Sequence, residues 1–90
     1  MFRKVREAYV VSVETPEYQR LLKRISKNIR AARESKGWTQ EEMTRFGFNY
    51  RHYQKLESGT YSFNLFTLFR LSKAFALKVE DLLKSEPRAK

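Results

Sequence analysis

The chain has 90 residues, 41% of them hydrophobic and 14% aromatic, enough for a single domain with one modest, bulky core. It has no cysteine, which excludes a disulfide framework and a thiolate metal site and is compatible with a reducing, cytoplasmic setting. No apolar run is long enough to span a membrane, no signal-peptide core is present, and a net charge of +9 favours a polyanion, either nucleic acid or an anionic membrane surface.

The charge is unevenly spread. Residues 1–36 carry ten basic and four acidic side chains, residues 37–64 three of each, and residues 65–90 six and three. A polyanion meeting the neutral middle would therefore be held there by particular side chains, with the flanks supplying the field.

Taken in chain order, residues 1–14 form an N-terminal arm with two readings. "YVVSV" is rich in β-branched residues and reads as a short strand. Its natural mate is the same segment of a second chain, since an isolated strand has no stable partner. The rival is a helix with Phe2, Val5, Tyr9 and Val13 on one face. "TPE" then opens a helix over 16–36, with Thr15 as cap, Pro16 at the first position and Glu17 complementing the dipole. Tyr18, Leu21, Leu22, Ile25, Ile29 and Ala32 make its apolar stripe, and Gly37 stops it.

Thr39 caps a second helix, where "TQEE" is a capping-box pattern; Met43 and Phe46 face inward and Gly47 ends it. Asn49 caps a third helix that turns Tyr53 and Leu56 inward and closes at Ser58-Gly59. After a loop, Asn64 caps a fourth, with Leu65, Leu68, Leu71 and Phe75 as its stripe. A short fifth helix spans about 79–83, and 85–90 form a polar tail. Trp38, Phe46, Phe48, Tyr53, Phe69 and Phe75 are expected mostly in the core. The fold class is thus all-α, a compact five-helix domain over 15–84 with an extended first helix and a strand-like arm.

Catalysis has little support. There is one histidine, no cysteine and no phosphate-binding glycine loop, and Glu41 and Glu42 are explained by the helix dipole. No enzyme activity, cofactor or metal is expected. The two helices broken at Gly47 have the layout of a helix-turn-helix, whose second helix enters the DNA major groove. That helix should carry polar side chains outward near its N-terminus. Here it offers Asn49, Tyr50, Arg51, His52, Gln54 and Lys55.

The run "IRAARESKGWTQEEMTRFGFNYRHYQKLESG…NLFTLFRLSKAFALKVEDLL" resembles the Cro/CI-type (XRE-type) helix-turn-helix DNA-binding domain. The resemblance implies a lambda-repressor-like fold. It also implies that Gln40 contacts a phosphate and orients the third helix, and that Asn49, Tyr50, Arg51 and Lys55 reach bases or nearby phosphates. By the same resemblance, Thr60, Ser62 and Asn64 grip the backbone, and Arg33 and Glu57 form an internal salt bridge. The sequence departs from the family pattern in four places. The segment before Gly47 is one residue shorter, Thr44 replaces a small Ala, Phe63 stands where Pro is common, and Lys78 where a capping Ser or Asn is usual.

The leading reading is a sequence-specific regulator of transcription that binds double-stranded DNA as a homodimer. The alternative is a protein-binding module, an antitoxin or anti-repressor subunit with a protein partner. Binding to a membrane through the first helix is disfavoured, because its apolar stripe is needed for the core. The strip Arg20, Lys23, Arg24, Lys27 and Arg30 is either a solvated face or a phosphate-tracking edge.

Overall fold

The computed structural model describes residues 10–84. Four α-helices and one 3₁₀ helix follow in order: α1 (Pro16–Ser35), the 3₁₀ helix (Glu41–Phe46), α2 (Tyr50–Ser58), α3 (Leu65–Phe75) and α4 (Val79–Leu83). The expected polar tail and most of the expected arm lie outside the described residues. Within them the arm is no strand. Val10–Ser12 are irregular and lead into a turn, in which the Ser12 amide donates to Thr15 Oγ1 and the Thr15 amide to the Ser12 carbonyl, both at 3.1 Å. Local side-chain hydrogen bonds serve the backbone there. The same bond diverts Thr15, which stands at the N-cap of α1 without capping it. Pro16 and Glu17 still begin the helix as expected, and Gly37 ends it in the left-handed region at φ 76°.

The second predicted helix is 3₁₀ rather than α. Thr39 and Glu42 close the expected box: the Thr39 amide donates to Glu42 Oε1 at 2.8 Å and the Glu42 amide to Thr39 Oγ1 at 3.1 Å. A 3₁₀ helix rises about 2.0 Å per residue against about 1.5 Å for an α-helix, so a shortened segment can still span the distance to the turn. Gly47 then reverses the chain at φ 89°, with its amide on the Thr44 carbonyl.

The helices surround one core of Ile25, Ile29, Met43, Phe48, Tyr53, Leu56, Leu68, Leu71, Phe75 and Leu82. Helix α1 is its spine, packing against α2, α3 and α4. Buried polar side chains fix that packing. Ser26 Oγ donates to the Leu56 carbonyl at 2.9 Å, tying α1 to the end of α2. Asn28 Nδ2 donates to the carbonyls of Leu82 (2.9 Å) and Lys84 (2.8 Å) and so satisfies the C-terminal end of α4. That helix has five residues, too few to hold on propensity alone, and Leu82 anchors it in the core. At its start the Lys78 amide donates to Asp81 Oδ2 at 3.0 Å, so an acid three residues in satisfies the N-cap amide and complements the helix dipole.

Three apolar expectations are corrected. Leu65, Phe69 and Phe46 are exposed rather than inward. On α3 the inner face is centred on Leu68, Leu71 and Phe75 with Thr67 and Ser72, which turns Leu65 and Phe69 to the opposite side. Phe46 stays at the rim, its ring 5.1 Å from that of half-buried Trp38.

Candidate nucleic-acid interface

Asn49 sets the start of α2. Its backbone is extended and its Oδ1 accepts the His52 amide at 3.0 Å, relieving one of the unpaired donors of the first turn. Gly59 ends the helix at φ 85°. Between these caps Tyr53, Leu56 and Glu57 are buried. The opposite face is set by helical geometry: Tyr50, Arg51, Gln54, Lys55 and Ser58 line one shallow groove along the outside. Gln54 Nε2 reaches the Tyr50 hydroxyl at 3.3 Å. His52 lies just beyond Lys55 outside this groove, half-buried, with its ring 5.5 Å from Tyr61 in an edge contact. The predicted residues of this helix thus divide, with Tyr50, Arg51, Gln54 and Lys55 together and His52 apart.

The rotation of α2 is held by Glu57. Its side chain is 1% exposed and accepts Arg33 Nε at 2.7 Å on Oε2 and Arg33 Nη2 at 3.1 Å on Oε1. Gln40 Nε2 donates to Oε1 at 3.0 Å, the Tyr53 hydroxyl donates to Oε2, and Arg30 Nε stands 3.6 Å from Oε1. Arg33 Nη1 also donates to the Trp38 carbonyl at 2.7 Å, fastening the loop after α1. One carboxylate therefore joins α1, the start of the 3₁₀ helix and α2.

Burial pushes the Glu57 carboxyl up, but the hydrogen bonds from Arg33, Tyr53 and Gln40 outweigh it and hold the group below the usual glutamate range. The hydrogen bond to Glu57 raises the Arg33 guanidinium further, against burial. Burial, reinforced by the Glu57 carboxylate, drives the Tyr53 phenol far above its ordinary value. Both Glu57 and Arg33 are accordingly charged across the physiological range, and Tyr53 is a neutral donor.

Gln40 is half-buried with its NH2 committed to Glu57, and it lines a groove with Arg30, Thr39 and Tyr50. Beyond α2, Thr60 is exposed with its hydroxyl 2.9 Å from Ser58 Oγ. Ser62 accepts the Tyr18 hydroxyl at 2.9 Å, which ties the loop to the start of α1. Asn64 uses its Oδ1 to cap α3 through the Thr67 amide at 2.8 Å.

The basic strip on α1 also divides. Lys23, Lys27 and Arg30 line a depression with Ser58 and Gly59, so their edge joins the outer face of α2 through Ser58. Arg24 is half-buried, and its Nε has no hydrogen-bond partner among the described residues. Sequence reasoning missed Ser58, Tyr61, and the roles of Tyr53 and Arg30 at Glu57. The spacing of Tyr53 and Glu57, four apart on one helix, was a usable signal for the first of those roles. Nothing local marked Tyr61, which meets His52 and Lys55 only once the loop folds back.

A capped pair of short helices broken at a left-handed glycine, the second with a polar outer face, is a helix-turn-helix of the DNA-binding kind. A model of the helix-turn-helix family matches residues 29–82, more than half of the chain, and the chain belongs to that family. The family is that of the XRE, or Cro/CI, type of helix-turn-helix domain. No curated protein and no solved structure matches the chain. Among the described residues no helix is long and apolar enough to cross a membrane.

Proposed function

We propose that the protein is a sequence-specific, double-stranded-DNA-binding regulator of transcription that inserts α2 into the major groove. The observation that carries this reading is the contiguous outer face of Tyr50, Arg51, Gln54 and Lys55, on a helix whose inner face is locked by Glu57. Base edges in the major groove present distinct donor and acceptor patterns, which forked or amide side chains read. Arg51 is the candidate for guanine, through its two parallel N–H groups. Gln54 is the candidate for adenine, through its amide pair.

The flanks supply sequence-independent grip. Gln40, Asn49, Thr60, Ser62 and Asn64 are the candidates for sugar and phosphate contacts, with His52 at the margin. Lys23, Lys27 and Arg30 extend the positive field along one side of α2. Arg33 and Glu57 serve this interface by positioning α2. A single domain of this size covers a half-site, so the working unit is a homodimer on an inverted repeat, acting as a repressor in the cytoplasm and at the nucleoid when bound.

Selection of bound duplexes from random DNA tests this reading. The expected result is an enriched half-site repeated in inverted orientation at a fixed spacing. Recovery of unenriched DNA overturns sequence specificity, and an enriched half-site without its repeat overturns the dimer.

A further inference from the structure

Among the described residues, the outward side of α3 carries a group of large apolar side chains left in solvent. Leu65, Phe66 and Phe69 are 73%, 68% and 46% exposed. Phe66 and Phe69 form a cleft of about 340 Å³ with Phe46, Ala74 and the stems of Arg70 and Lys73. Cations ring it. Lys73 Nζ lies 5.3 Å from the Phe69 ring and the Arg45 guanidinium 5.6 Å from that of Phe46, while Arg70 stacks 4.1 Å over Phe48. Among the described residues no acidic side chain lines the cleft. Among the described residues, Arg45, Arg70 and Lys73 form no ion pair.

We propose that this cleft docks an acidic amphipathic helix of a partner protein. A contiguous apolar patch with a polar rim is the signature of a binding surface. The rim chooses the occupant. A second copy of this chain, itself at +9, would bring the same positive ring against this one, whereas carboxylates flanking an apolar stripe would neutralise it. The shape agrees. From Phe66 to Ala74 the cleft runs about 12 Å along α3, roughly two turns of helix, which suits a partner offering apolar residues four apart with Glu or Asp beside them. The cleft shares no residue with the groove on the outside of α2.

The test uses two fluorescein-labelled synthetic 14-residue amphipathic helices with the same Leu/Phe face, one with Glu and one with Lys on the polar face, titrated by fluorescence anisotropy. The Glu peptide should bind saturably and the Lys peptide at least about tenfold more weakly. Phe66→Ser and Phe69→Ser should each weaken the Glu peptide by about tenfold or more. The double variant Arg45→Glu/Lys73→Glu should reverse the preference. All variants should keep the helical circular-dichroism spectrum, and the two Phe variants should keep their affinity for duplex DNA to within about twofold. Equal binding of the two peptides, or no saturable binding of either, overturns the proposal. So does a sedimentation dimer that Phe66→Ser converts to monomer, which would make the face a contact between copies.

Discussion

Helices α2 and α3 begin alike and are held differently. Each starts at an asparagine whose Oδ1 accepts an amide three residues on, and each is followed by a residue in the left-handed region, Gly59 after α2 and Ala76 after α3. Inside, α2 buries a tyrosine, a leucine and a charged glutamate, whereas α3 buries two leucines and a phenylalanine with two small hydroxyl residues. Outside, α2 is polar and α3 apolar. An apolar contact tolerates small rotations, but a carboxylate hydrogen-bonded to Arg33, Gln40 and Tyr53 does not. The helix assigned to read bases is thus fixed by a buried cluster of directional bonds, and the helix assigned to dock a partner rests mainly on packing, with Arg70 donating to the Phe46 carbonyl at 3.5 Å at its edge.

The contrast is broken most severely at Glu57. Glu57→Gln leaves the buried Arg33 charge without its buried counter-ion, with only exposed Glu34 at 3.8 Å, and should cost about 3–5 kcal/mol of stability, read from urea denaturation. A melting temperature within a degree or two of the parent's would mean that α2 is held by its apolar contacts, as α3 is. Next, α3 should be sensitive on one side only. Leu71→Ala, at a fully buried position, should cost about 2–5 kcal/mol, and Leu65→Ala on the outer side less than about 0.5 kcal/mol. Similar losses at both positions would show that the outer side is covered in solution.

The DNA-facing side sharpens the comparison on affinity. Arg51→Ala should cost about 1–3 kcal/mol on the selected duplex and much less on random DNA. Lys27→Ala should weaken both alike and lower the salt-dependence slope by about one. Equal losses on both DNAs for Arg51→Ala would assign that residue to the backbone instead.

The smallest expected effect is on pH dependence, and its sign separates the two charged-state groups of the cluster. Glu57 is depressed in the fold, so its contribution is present above the ordinary glutamate pKa and is lost as pH falls through the folded value. Tyr53 is raised, so above the ordinary phenol pKa of about 10 the unfolded chain releases a proton that the fold retains, and stability falls as pH rises. Urea midpoints followed from neutral pH to about pH 11 should decline in the parent and stay flatter in Tyr53→Phe. An identical decline in both would assign the alkaline loss to other groups.

Much of this arrangement was legible in the chain, because it is encoded locally. Pro16-Glu17, the Thr39–Glu42 reciprocity, the asparagine caps and the three glycine stops act over three or four residues, and helical spacing marked Leu68, Leu71 and Phe75 as inward. The site was less legible. Sequence placed His52 with Arg51 and Lys55; the fold keeps it beside Lys55, both meeting Tyr61, but leaves it outside the groove that Tyr50, Arg51, Gln54 and Lys55 line, and only the packing of α2 fixes which flank meets the core. The short segment before Gly47 was visible as a missing residue. Its resolution as a 3₁₀ helix depends on the distance to be spanned between elements already docked.

By itself, then, the sequence determined the number of helices, their caps and stops, the excess of positive charge and the set of polar residues on α2, since each follows from short-range sterics, hydrogen bonding or composition. Tertiary structure decided the rest. It chose which side of an apolar α3 enters the core and left Leu65, Phe66 and Phe69 in solvent. It also brought Arg30, Arg33, Gln40 and Tyr53 from three segments onto one carboxylate, and divided the basic strip of α1 into an edge beside α2 and a half-buried Arg24. These outcomes depend on which elements meet and at what rotation, which long-range packing fixes and local pattern does not contain.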